Sequence, residues 1–177
     1  VRIEPRKGVF ISDYRRDGSL AILSSLLSFH DGQLSSELSK SLIDMRLLVE
    51  AEAARLAAEN RTSAQMAELR QLVEAESQAA GEDPQLLTDL DFTFHHAVAI
   101  ASANLIYPLI LNSFKDVYTS LTGEFFRRNF NTGVIEEVHR FHHQVVDALE
   151  RQDPDAAVRA MSEMLKHGEK YLKGGNE

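Results

Sequence analysis

The sequence predicts an all-α protein, an antiparallel bundle of about seven helices preceded by a short β segment. Three observations carry that expectation. Beyond residue 17, apolar residues recur at three- and four-residue intervals in nearly every segment. After the first dozen residues no stretch sustains the two-residue alternation of a strand. The breaks between periodic segments are short, which makes consecutive helices antiparallel neighbours.

The elements follow in order. VRIEPRKGVFIS alternates around Lys7 and Gly8 as a short hairpin does. Leu20, Leu23, Leu26 and Leu27 mark a first helix, and Leu42, Met45, Leu48, Val49, Ala53 and Leu56 a long second one. Thr62 to Gln65 reads as a capping box that opens a third helix, with Met66, Leu69 and Val73 on its apolar face. The stretch from Gly81 to Pro84 breaks the chain, and Pro84 suits the first turn of a fourth helix. Asn104 is expected to cap a fifth helix, from Leu105 to about Phe130. Thr132 opens a sixth, and Asp153 and Pro154 separate it from a seventh that ends near Gly174.

Composition narrows the function classes. The 177 residues carry a net charge of −8 and contain no cysteine, so disulfides, zinc fingers and thiol catalysis are excluded. No apolar run approaches a membrane span and no signal peptide opens the chain, so a cytoplasmic protein is expected. The charge is uneven. Residues 1–16 hold five Lys/Arg against Glu4 and Asp13, whereas the rest holds 14 basic and 25 acidic residues. An acidic body is poorly suited to touch nucleic acid, because phosphate contacts need Lys and Arg. The basic start, which lacks a Met, reads as the end of a preceding domain, giving a remnant at 1–16 and a helical domain at 17–177.

The stretch DFTFHHAVAIASAN places Asp91 and His95 four residues apart, on one face of the fourth helix. Leu87, Phe94 and Val98 surround them with apolar character. If the fourth and sixth helices run parallel, His95 and His142 both lie about 15 Å from their helix starts. The returning seventh helix presents Met164 at that level. His142 shares the apolar face of Val138, Val145 and Leu149. A buried carboxylate is costly unless paired or metal-bound. Two readings stay open: a divalent metal of the Zn, Ni, Mn or Fe class on Asp91, His95 and His142, or an aspartate that orients an imidazole by hydrogen bonding. His96, His139 and His143 read as surface or supporting groups, and Asn104 as a cap. Arg46 can clamp an effector carboxylate or pair with Glu50 one turn on.

Four segments in order resemble one family. DFTFHHAVAIASAN, SLIDMRLLVEAEAARLAAE, FHHQVVDALERQDPDAAVRAM and VRIEPRKGVFIS are similar to motifs of the effector-binding (FCD-type) domain of GntR-superfamily transcription regulators, FadR branch, and to the wing of its winged helix-turn-helix domain. The resemblance implies a homodimer that senses a small carboxylate or acyl metabolite. It also implies operator DNA bound through the N-terminal domain rather than through these helices. A cavity metal would be held by Asp91, His95 and His142. The family's fourth ligand falls at Met164, a poor ligand for Zn or Ni, which implies a weak site; His167, one turn on, is the candidate replacement.

Other classes were weighed against this one. A metal-free acyl-CoA-type sensor would use the same cavity for an acyl chain. A purely structural dimerisation module would use any metal for stability. A helical-bundle metalloenzyme is disfavoured, because Glu136 and His139 supply the sequence's one Glu-x-x-His and di-iron bundles need two. No Gly-rich phosphate loop or activated serine occurs either, so no enzyme is expected.

Overall fold

Residues 2–10, 13–23, 25, 35–79, 81 and 83–173 are described by a computed structural model of the chain. Strands β1 (Arg2–Glu4) and β2 (Gly8–Phe10) pair antiparallel, with Ile3 opposite Val9. The turn between them places Arg6 and Gly8 at positive φ, where glycine is at ease. Helices α1 (Tyr14–Asp17), α2 (Ser36–Asn60), α3 (Ser63–Ala79), α4 (Pro84–Ala101), α5 (Tyr107–Ser113), α6 (Lys115–Asn129), α7 (Gly133–Glu150) and α8 (Pro154–Lys173) follow. The all-α expectation holds. Leu26 and Leu27 of the expected first helix lie outside the described residues.

Local chemistry sets most helix starts. The Thr62 hydroxyl accepts from the Gln65 amide at 3.2 Å, and Gln65 Oε1 accepts from the Thr62 amide at 2.8 Å, the reciprocal pair of a capping box. Asp83 accepts from the Gln85 amide just ahead of α4, with Pro84 in the first turn. Thr132 does the same for α7, accepting from the Val134 amide.

The fifth helix departs from the sequence reading. Asn104 does not cap a helix from Leu105; its side chain accepts from the Ile106 amide in a local turn, and α5 begins only at Tyr107. Pro108 explains the delay. A helix begun at Leu105 would drive the proline ring into the carbonyl of Asn104, whereas the first turn from Tyr107 accommodates it. The run also breaks at Phe114, whose backbone (φ −124°, ψ 21°) leaves the helical region between α5 and α6. Its ring is fully buried with Phe92, Val117 and Tyr118.

Helix α2 packs on α4, α7 and α8, α3 on α4 and α7, and α6 chiefly on α4. The main core joins Leu69, Phe94, Val145, Leu149 and Met161 to Ala54, Ala57 and Ala58 of α2. Three fully buried alanines in one turn bring the neighbouring helices close to the α2 backbone. Beyond the end of α2, Arg61 donates to the carbonyls of Leu149 (2.8 Å) and Glu150 (3.1 Å), satisfying the last turn of α7. No helix among the described residues is long and apolar enough to cross a membrane.

The capping box yields a direct test. Thr62→Ala is expected to lower unfolding stability by about 1 kcal/mol, read as a lower urea midpoint at unchanged slope.

Candidate metal and effector site

The acid and imidazoles flagged in the sequence converge at the centre of the bundle. Asp91 and His95 come from α4 and His142 from α7, all buried, and one ligand atom of each lies within 4.8 Å of the others. His142 Nε2 is 3.6 Å from Asp91 Oδ1, and His95 Nε2 is 3.9 Å from the same oxygen. These separations are too long for hydrogen bonds. They match the spacing of atoms that share one ion at about 2.0–2.2 Å each. His142 Nε2 is fully buried and has no hydrogen-bond partner.

The opposite ring nitrogens are held by carboxylates. His142 Nδ1 is hydrogen-bonded to Glu76 Oε2 of α3 at 2.6 Å, and His95 Nδ1 lies 2.5 Å from Glu50 Oε2 of α2. Carboxylates behind both imidazoles fix the ring orientations and leave the Nε2 atoms turned toward Asp91, as in metal-ligating histidines. The second oxygen of Asp91 accepts from the Tyr118 hydroxyl at 2.8 Å, and that hydroxyl accepts from Arg46 at 2.8 Å. Arg46 closes the network by donating to Glu50.

Burial and charge oppose each other here. Burial pushes the Glu50 carboxyl up, but Arg46 and His95 outweigh it and bring its pKa down to about 2. Burial alone would lower the His142 imidazole, yet Glu76 and Asp91 hold it above its usual value. The Tyr118 phenol is raised well above its ordinary range, first by burial and then by Asp91 and Glu50 against the opposing Arg46. It therefore stays a donor at neutral pH. Counted with ionised carboxylates and neutral imidazoles, Glu50, Glu76 and Asp91 against Arg46 leave two negative charges uncompensated. Two imidazole protons or one divalent cation would supply the balance.

The remaining candidates sit elsewhere. Met164 lines the same cavity as Asp91 and His95. His167 does not join the three ligands; its Nε2 lies 3.1 Å from Glu137 of α7, and its ring packs on Phe141 and Tyr171. Arg46 both borders the cavity and makes the pair with Glu50, although that pair is buried rather than exposed. Half-buried His96 stacks on Phe92, His139 is half-buried, and His143 is exposed. Of the aromatics, Phe125 and Phe126 border the cavity, while Phe92, Phe94 and Phe114 are core.

Sequence reasoning missed Glu76 and the anchoring roles of Glu50 and Tyr118. The signal was present for Glu76. It continues the buried stripe of Met66, Leu69 and Val73 at the next helical step, where a lone carboxylate calls for a partner.

Fold and site together define the class: an all-helical bundle domain with a buried acid–imidazole group beside a central cavity. Residues 41–167, well over half of the chain, match the FCD domain, and the chain belongs to that family of GntR-type regulators. It is 28% identical over 140 residues to the putative L-lactate dehydrogenase operon regulatory protein of Escherichia coli K12, a match covering 78% of this chain and 53% of that protein. The protein of the same description from Shigella flexneri matches equally. The chain thus spans about half the length of the curated relatives it matches. Its fold is similar to E. coli McbR/YncC, with TM-score 0.70 and 20% identity over 79% of this chain and 70% of that one. It is also similar to Streptococcus agalactiae GntR, with TM-score 0.64 and 23% identity over 94% and 72% of the two chains. The relatives are transcription regulators rather than enzymes.

Tyr118 carries the prediction for this network. Tyr118→Phe removes the donor to Asp91 and strands a guanidinium N–H of Arg46, which should cost about 1–3 kcal/mol. Denaturant unfolding of the variant beside wild type measures it.

Proposed function

We propose that this domain is the effector-sensing and dimerising part of a FadR-branch transcription regulator, holding a divalent cation at Asp91, His95 and His142 and responding to a small carboxylate. One observation carries the metal: three ligand atoms spaced for a common ion rather than for one another, with both imidazoles backed by glutamates. The charge count agrees, since one divalent cation balances the buried group. When bound, the ion supplies the positive charge without which an anionic effector would meet a net negative cavity. Glu50 and Glu76 hold the imidazoles in position, and Arg46, committed to Glu50 and Tyr118, keeps the acid side of the site from moving.

The cavity, about 50 Å³, favours a small acid over an acyl-CoA chain as the effector. Several protein positions are filled and Met164 stands at the cavity wall, which leaves coordination room for water or the effector. In this reading the protein works as a homodimer, with operator DNA read by a winged-helix domain whose wing is the β1–β2 hairpin. Paired recognition helices must match half-sites about one helical turn apart. An effector that prefers one arrangement of the bundles shifts that spacing.

Elemental mass spectrometry of the purified protein after incubation with Zn, Ni or Mn tests the proposal. About one ion per chain is expected, lost in Asp91→Ala and in His142→Ala. In Glu76→Gln the affinity should fall by roughly 10–100-fold while the ligands remain. Absence of bound metal in the wild type after such loading would refute the metal reading and make Asp91 a hydrogen-bonding group.

A further inference from the structure

Asp91 presents its two oxygens to two different parts of the molecule. Oδ1 faces the imidazoles, with His142 Nε2 at 3.6 Å and His95 Nε2 at 3.9 Å, beyond hydrogen-bonding reach. Oδ2 accepts from the Tyr118 hydroxyl at 2.8 Å. Tyr118 lies in the first turn of α6 and is fully buried, so water does not compete for that bond. Its ring packs edge-on against Phe92, with 5.2 Å between centroids, and stacks along Phe114. Its oxygen accepts from Arg46 of α2, which leaves the phenolic proton for Asp91.

The side-chain hydrogen bonds of Thr119, Thr122, Arg127 and Asn129 all stay within α6. That of Tyr118 instead joins α6 directly to a candidate metal ligand on α4. Beyond Tyr118, residues Thr122, Phe125 and Phe126 of the same helix border the cavity. The helix is thus tied to the site at its start and lines the cavity farther on.

We propose that Tyr118 is a positioning residue of the metal site, holding Asp91 as a one-oxygen ligand and passing occupancy of the site to α6. The inference rests on the metal reading above. With Oδ2 committed to the phenol, Oδ1 is the oxygen left to face the imidazoles. Coordination at Oδ1 would hold the carboxylate at both oxygens and keep Oδ2 in place as the acceptor for Tyr118. Such coupling is reciprocal: the factor by which the bond strengthens metal binding is the factor by which metal strengthens the attachment of α6. Groups that support metal ligands are worth roughly 10–100-fold in affinity, which sets the size of both effects.

The test measures zinc affinity by chelator competition, and amide hydrogen exchange with and without zinc, on wild type, Tyr118→Phe and Thr62→Ala. Phenylalanine keeps the ring and removes the hydroxyl. Thr62→Ala weakens a cap about 20 Å along α3 from Glu76, and so controls for a fold that is merely looser. In wild type, zinc should slow exchange at residues 119–123 of α6 by roughly 10–100-fold, and also slow it around Glu76. Tyr118→Phe should bind zinc more weakly by a similar factor. At saturating zinc it should lose the slowing in α6 and keep that around Glu76, whereas Thr62→Ala should keep both. Zinc bound by wild type without slowing in α6, or slowing there that persists in Tyr118→Phe, overturns the role of Tyr118 and leaves the metal reading standing. A wild type that binds neither zinc, nickel nor manganese overturns both.

Discussion

Three carboxylates buried in an apolar bundle are the constraint on which the rest of this structure depends. Glu50, Glu76 and Asp91 are each at most 6% exposed, and a buried charge without a partner is among the most destabilising features a core can hold. Each has a partner on another helix, and Glu50 has a second one turn earlier on its own. Arg46 and His95 serve Glu50, His142 serves Glu76, and Tyr118 serves Asp91. Carboxylates and partners together come from α2, α3, α4, α6 and α7, so five helices must hold their registers for the polar group to close. A slide of one turn, about 5.4 Å, on any of them would strand a charge.

That constraint explains what the sequence discloses. Helix starts rest on neighbouring residues, so Thr62 with Gln65, Asp83 with Pro84, and Thr132 could be read directly. The break at Phe114 could not, since nothing beside it is a strong breaker. It is enforced by burial of its ring against Phe92 and Tyr118, residues 22 positions back and one turn on in the chain. The Asp91–His95 pair was legible from its four-residue spacing, and His142 from its level along a parallel helix. Glu76 and Glu50 each stand alone on an alanine- or leucine-bearing stripe. Arg46 beside Glu50 was legible from its spacing, but the imidazole partners lie on other helices, and no local spacing reveals which imidazole each glutamate will reach. His167 shows the converse: one turn from the expected level, it turns toward Glu137 because α7 offers that carboxylate nearby.

The FCD family groups transcription regulators, and on the proposed reading the buried polar group is the recognising part of a sensor. A sensor needs a site that is rigid where it recognises and yielding where it responds. On the acid–imidazole side each imidazole has a glutamate at Nδ1, and Asp91 is held by Tyr118, so it is held in several directions at once. Helix α6 differs, packing chiefly on α4 and only lightly on α7 and α8.

On that reading the lightly packed seam between α6 and α8 would be the yielding side of the cavity. Thr122, Phe125 and Phe126 border it from α6, and Met164, Leu165 and Gly168 from α8. An occupant fixed at the Asp91 end and wedged between these walls would contact both helices at once. A wall that moves to accommodate it gains contacts that the empty arrangement lacks, and only such a difference can shift an equilibrium between conformations. Helix α8 would then carry the displacement outward, because it packs on α2 and α7. Tight recognition at the polar end and loose packing at the apolar end are thus complementary parts of one design. In the proposed mechanism the first would decide what binds and the second would give binding a mechanical consequence.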